Sequence, residues 1–297
     1  MTYLNDEFFS RLETLALNLK PDLSGYFGGK HLVSTYGQTV EFADFREYQL
    51  GDDIRRIDWN LYSRFEKFFL KLFTDERQMK IQIFIDCSAS MGKDNPAKGA
   101  YTLAAAAALG FLGVHNMDKV SFNLMRATGL ENNYGTIIGK NSFFRAVSDF
   151  SNIRFEGETD IERCITKCNT LGNADGLSVI ISDFFTESNW KKAVDYLRYH
   201  RQQVLLLQIL TPEECDPLYD GRVNLMDSEA EAAEDPKNMK LKITRAMRNA
   251  YEEALNEFKA DIKTFCAKRG ADYISVCTDS AIERVLFGEL LKTGIVS

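Results

Sequence analysis

The chain has 297 residues, 45% hydrophobic and 27% charged, enough for one large α/β domain and a smaller one. A net charge of −7 argues against nucleic acid as the main partner, because phosphate binding needs clustered Lys and Arg. No run reaches the roughly 18 apolar residues of a membrane span, and Met1 to Asn18 lacks the basic and apolar segments of an export signal. No membrane span is therefore expected. Cys87, Cys164, Cys168, Cys215, Cys266 and Cys277 are dispersed without a zinc spacing, which fits reduced thiols in a cytoplasmic protein. His31, His115 and His200 are isolated, so a histidine-based metal site or triad has little support.

The first 78 residues differ in character from the rest. Asn5 to Leu19 has the periodicity of an amphipathic helix, with Phe8, Phe9, Leu12, Leu15 and Leu19 on one face. Gly25 to Lys30 reads as a glycine-rich turn. Val40 to Tyr48 leads into Gly51-Asp52-Asp53-Ile54-Arg55-Arg56-Ile57-Asp58-Trp59, a dense mixture of acids, arginines and aromatics. Two readings fit that stretch: an ion-pair network fixing the N-terminal region to the main domain, or a docking face with Arg and Trp as anchors. Leu61 to Glu76 is expected to form a strand pair entering the core sheet.

From Met79 the pattern becomes strand, helix, strand, helix. Ile81, Ile83 and Ile85 alternate along a β-branched strand that ends at Asp86. Helices are expected at Ala97–Val114, Asn141–Ser151, Asp160–Thr170, Trp190–His200, Thr244–Arg269 and Ser280–Leu291. Strands are expected at Lys119–Met125, Leu177–Ser182, Gln203–Leu210 and Asp272–Cys277. This alternation predicts an α/β fold, a mostly parallel sheet with helices on both faces, whose ligands bind at the carboxyl ends of the strands. The division expected is residues 1–78 as a small β-containing N-terminal region and 79–297 as the α/β domain. Within the latter, 212–243 breaks the alternation. Val223–Asp227 and Leu241–Thr244 read as a strand pair extending the sheet edge around the acidic, solvated loop Ser228–Asp235.

The loop after the first core strand, Asp86-Cys87-Ser88-Ala89-Ser90, offers a carboxylate and two hydroxyls on one short turn. Hard oxygens of this kind suit Mg²⁺ or Mn²⁺ rather than zinc. Downstream, Thr159 stands at the start of a helix, and Asp183 follows the strand ending at Ser182, again at a carboxyl end. The plain alternative is that Asp86 and Ser88 only close the turn and cap the next helix.

Asp86-x-Ser88-x-Ser90 with Thr159 and Asp183 resembles the metal-ion-dependent adhesion site (MIDAS) of von Willebrand factor A domains. Together with Arg46-Glu47-Tyr48, Gly51-Asp52-Asp53, Arg55 and Ile57-Asp58-Trp59, the chain resembles the bacterial family called domain of unknown function 58, over roughly residues 25 to 290. The resemblance implies a von Willebrand A-like domain that works with MoxR-type AAA+ ATPases in assembly or maturation of other proteins. Ser88 and Ser90 would then bind the cation directly, Thr159 directly or through water, and Asp86 and Asp183 mostly through water. Phe184-Phe185 follows Asp183 where many adhesion-type domains have glycine.

The function expected is a non-catalytic, cation-dependent protein-interaction module, with a partner's acidic residue completing the ion's shell. That partner would be a MoxR-type AAA+ ATPase or its client. The alternative is a Mg²⁺-dependent hydrolase of the phosphatase type, but such enzymes use Asp-x-Asp, and Ser88 stands where the second acid would supply the proton. No Gly-x-x-x-x-Gly-Lys-Ser/Thr motif appears, which argues against ATP hydrolysis by this chain.

Overall fold

The protein was analysed as a computed structural model that describes residues 4–18, 40–49, 52, 54–75, 78–169, 171, 175–217, 221–225, 239–243, 245–283 and 288. Six strands form the central sheet: β3 (Lys80–Asp86), β4 (Lys119–Arg126), β5 (Gly129–Glu131), β6 (Gly176–Ser182), β7 (Gln202–Leu210) and β10 (Asp272–Cys277). Their spatial order is β10-β7-β6-β3-β4-β5, with all pairings parallel except the short antiparallel β4–β5 edge. The sequence pattern anticipated all of these strands but β5, which is three residues long and too short to show a period.

Alternation along each strand decides which face it feeds. Ile81, Ile83 and Ile85 join Val120, Phe122, Leu205 and Leu207 in one core layer, whereas Phe84, Ile180, Val204 and Leu206 join another. The first layer is covered by α1 (Asp6–Asn18), α3 (Pro96–His115) and α4 (Lys140–Ser148), and the second by α5 (Ile161–Thr166), α6 (Trp190–Tyr199) and α8 (Arg245–Arg269). The helices therefore lie on both faces, as the alternation predicts. Helix α1 belongs to this core: Phe8, Phe9 and Leu12 are buried, and the Phe9 ring meets Phe111, Phe143 and Phe144 at 5.6, 6.0 and 5.2 Å. Helix α3 is long and apolar enough to cross a membrane, yet 89% of its apolar window is buried inside the protein, as befits the central helix of a sheet-covering layer.

Two expectations are corrected. Residues 61–76 do not form a strand pair: Trp59–Phe65 is helix α2, and only Phe69–Asp75 is a strand, β2, which pairs antiparallel with β1 (Val40–Glu47). Asp58 starts the helix, its carboxylate accepting from the Asn60 and Leu61 backbone N–H groups. The second correction concerns β8 (Gly221–Leu225) and β9 (Met239–Ile243), which among the described residues pair with each other and not with the main sheet. The sheet edge beside β7 is formed by β10, whose six residues pair with it in parallel. The acidic loop Ser228–Asp235, the Gly25–Lys30 turn and most of the closing Ser280–Leu291 helix lie outside the described residues.

The charged stretch before α2 is braced internally. Arg46 donates to Asp52 at 2.9 Å, and the other Asp52 oxygen accepts the Gln49 N–H at 2.8 Å. Asp52 thus closes a turn. Trp59, Phe65 and Phe68 remain exposed, with Tyr62 and Phe68 stacked at 4.6 Å.

Asp118, at the entry to β4, is buried and uses one oxygen to accept the Met79 N–H at 2.8 Å, while the other has no hydrogen-bond partner. Desolvation pushes its carboxyl up to about 6. A folded-state value above the unfolded one means stability present at low pH is lost as pH rises through about 6. Asp118→Asn should therefore unfold at a higher temperature than the parent at pH 8, and the advantage should vanish toward pH 4. Melting curves across that range test it.

Candidate functional site

The sheet creates a crevice where neighbouring strands send their chains to opposite faces. After β3 the chain enters α3 on one face, and after β6, the adjacent strand, it enters α6 on the other. Asp86 is the last residue of β3 and Asp183 the first after β6, so two carboxylates meet at this switch point.

Asp86 is 2% exposed. One oxygen accepts the Ser88 N–H at 3.0 Å and the other the Ser182 hydroxyl at 2.6 Å. Burial and the negative charge of Asp183 raise its carboxyl above the usual range, while hydrogen bonds from Ser182, Ser88 and Thr159 oppose the rise. Ser88 Oγ and Ser90 Oγ lie 3.1 Å apart, so the two hydroxyls converge. Thr159, also buried, donates to the Met125 carbonyl at 3.3 Å, next to the Asp86 carboxylate. All five residues singled out in the sequence therefore gather at one end of the sheet. Their donor set, two carboxylates and three hydroxyls, is of the kind hard cations take. Among the described residues, no three His, Cys, Asp or Glu side chains gather into a metal cluster.

Backbone bonds hold the loops together. Ala89 N–H donates to Gly157 O at 2.8 Å and Glu156 N–H to Cys87 O at 2.9 Å, fastening the loop that carries Thr159 to the one that carries Ser88 and Ser90. The Thr186 hydroxyl donates to Thr159 O at 3.3 Å, and Ile161 N–H to Ser188 Oγ at 3.2 Å, linking the loop after Asp183 to the same assembly. The Phe155 ring occupies the space beside Gly92, where a Cβ would sit 2.6 Å from a ring carbon.

The third loop carries a phenylalanine in a conformation that glycine favours: Phe184 has φ 61°, in the left-handed region. Its N–H donates to Ser182 Oγ at 3.0 Å, and its buried ring packs edge-on against Trp190 at 5.9 Å. The strain of roughly 1–2 kcal/mol for a non-glycine in this region is less than the roughly 3–5 kcal/mol lost on removing a buried phenylalanine ring.

Three residues were not foreseen. Ser182 supplies the 2.6 Å hydrogen bond to Asp86, and Lys98 and Glu214 complete the surroundings of Asp183. Lys98, in the first turn of α3, is 1% exposed and donates to Asp183 at 2.9 Å and to Glu214 at 2.7 Å. Burial opposes its charge, but the two carboxylates outweigh burial and raise its pKa. Glu214 lies in the one-turn helix α7 (Pro212–Cys215) and also accepts the Thr211 N–H at 2.8 Å. A lone lysine in an otherwise alanine-rich helix, near the terminus whose dipole disfavours cations, was the available signal for Lys98.

A profile for the family described as "Protein of unknown function DUF58" matches residues 44–261. The chain belongs to this family. Relatives of this DUF58 chain include uncharacterized proteins of Mycobacterium tuberculosis and Mycobacterium bovis, each 27% identical over 273 residues, 90% of this chain and 84% of the relative. Similar solved structures include the conserved hypothetical protein BatB from Bacteroides thetaiotaomicron, at 13% identity and a TM-score of 0.40, covering 73% of this chain and 98% of that one. Another is the SpRpn10 VWA domain, at 9% identity and a TM-score of 0.37, covering 72% and 95%. The architecture described above rests on the chain's own sheet and core.

The loop packing gives a test. Gly92→Ala must displace the Phe155 ring and should cost about 1–3 kcal/mol. Gly157→Ala, at φ +68° with open space around a Cβ, should cost about 1 kcal/mol, less than Gly92→Ala. Chemical denaturation of both variants checks the ranking; equal costs would contradict the wedge role of Phe155.

Proposed function

We propose that this DUF58 chain is a non-catalytic protein-interaction module that captures an acidic residue of its partner through a shared Mg²⁺ or Mn²⁺. Ser88, Ser90 and Thr159 would offer hydroxyls to the ion, and Asp86 and Asp183 would act mostly through water. The observation that carries this reading is the gathering of these five residues, with Asp86 and Asp183 buried side by side at the switch point of the sheet. Two like charges in a low-dielectric crevice repel each other, and a divalent cation relieves that repulsion.

Hydroxyl ligands neutralise little of an ion's charge, so the cation stays a strong Lewis acid that a partner's carboxylate can complete. Mg²⁺ readily keeps waters for such exchange. Hydrolysis would need in addition a placed nucleophile and proton donor, and Ser88 stands where a phosphatase of the Asp-x-Asp kind has its acid. The partner expected is a MoxR-type AAA+ ATPase or its client, in the cytoplasm.

Thermal unfolding in EDTA and then in rising Mg²⁺ or Mn²⁺ tests the reading. A cation at 100 times its dissociation constant adds about 2.7 kcal/mol. For a chain of this size that corresponds to roughly 5–10 °C. The parent should show the shift and Asp86→Ala should not. In pull-downs with the ATPase, Ser88→Ala should lose cation-dependent capture. Equal shifts in parent and Asp86→Ala, or full-strength capture by Ser88→Ala, would defeat the proposal.

A further inference from the structure

We infer that Lys98 is a built-in counter-charge that sets how tightly, and for what ionic charge, this site takes a cation; the inference rests on the cation reading above. Lys98 is not a surface lysine that happens to reach an acid. It is 1% exposed, and its ammonium lies 2.9 Å from Asp183 Oδ2 and 2.7 Å from Glu214 Oε1. Neither its helix position nor its neighbours favour a charge there. The first turn of α3 carries the positive end of the helix dipole, and nearby Gly99, Tyr101 and Thr102 are buried. Two carboxylates from different segments, the loop after β6 and helix α7, hold it in place.

Those carboxylates are themselves fixed. The second oxygen of Asp183 accepts the Phe185 N–H at 3.0 Å, and the second oxygen of Glu214 accepts the Thr211 N–H at 2.8 Å. Lys98 therefore stands beside Asp183 as a permanent ion of charge one, inside the environment that a divalent ion would enter. Lys98 sets one positive charge against the two carboxylates, Asp86 and Asp183, that meet at the switch point, and Glu214 holds that charge from its other side. Without Lys98 the two carboxylates lose this counter-charge, which strengthens the pull of the crevice on any cation and most on a trivalent one. Lys98 thus keeps the site weak enough for an ion to be shared with a partner and removed again.

Calorimetric titration of Mn²⁺ and of Tb³⁺ into the full chain tests this on the parent, Lys98→Met and Glu214→Gln. Lys98→Met should bind Mn²⁺ at least about tenfold more tightly, with a still larger gain for Tb³⁺. Glu214→Gln, which removes a negative charge from a partly exposed position, should bind Mn²⁺ several-fold more weakly. Structural damage would weaken both variants; opposite signs belong to the charge mechanism. Unchanged or weaker Mn²⁺ binding by folded Lys98→Met, with the parent binding normally, overturns this inference and leaves the cation reading intact. If Lys98→Met does not fold, Glu214→Gln and Glu214→Asp decide together. Weaker binding by Glu214→Gln that Glu214→Asp, which keeps the charge, restores supports the role of charge. Unchanged binding by Glu214→Gln, or equal weakening of both, overturns it. Uptake by Lys98→Met where the parent takes none also supports it. No uptake by either chain overturns the cation reading and this inference together.

Discussion

A carboxylate buried at the end of the central strand constrains everything around it. Desolvating an ionised Asp costs several kcal/mol unless hydrogen bonds and opposite charges replace the water. Asp86 receives its replacements from a neighbouring strand and its own loop: the Ser182 hydroxyl of β6 at 2.6 Å and the Ser88 N–H at 3.0 Å. The first depends on sheet register. Ile85 of β3 pairs with Ile181 of β6, so Asp86 and Ser182 follow side by side on the same face. A slip of one residue would turn Ser182 away from the carboxylate and exchange the two core layers along β6. The apolar pattern that builds the core therefore also keeps the polar crevice assembled.

Loop stitching extends that constraint outward. Residues 87–91, 153–160 and 183–188 come from three separate parts of the chain, and backbone bonds between Ala89 and Gly157 and between Glu156 and Cys87 fix two of them directly. Side-chain hydroxyls of Thr186 and Ser188 fasten the third. Lys98 adds a charge placed by the opposite core layer, so the electrostatics of the crevice are shared between helix α3 and the strand ends.

The N-terminal region follows a different logic. Asp52 and Asp58, which stand out among the charged residues of the sequence, go into local structure: one closes a turn with Arg46, the other caps α2. The aromatic residues beside them stay exposed, with Trp59 at 59% and Phe65 at 62%. These bonds of Asp52 and Asp58 lie within the N-terminal region itself, and the exposed rings belong to its surface.

How much was legible in the chain depended on the range of the interactions. Strand periodicity, the alanine-rich helix and the order Asp86, Ser88, Ser90, Thr159, Asp183 are written locally, so the α/β class and the candidate oxygens could be read from them. The α2 helix could have been read too, since Asp58 before Trp59 is a capping signal, but the run of phenylalanines that follows resembles a strand. What no local pattern carries is the pairing of residues far apart in sequence. Lys98 meets Asp183 across 85 positions and Glu214 across 116, and only the folded sheet brings them within 3 Å. The sequence by itself determined which oxygens are available and in what order; the tertiary structure decided their spacing, their burial and the lysine that balances them, because charge in a buried crevice is set by whatever the fold places there.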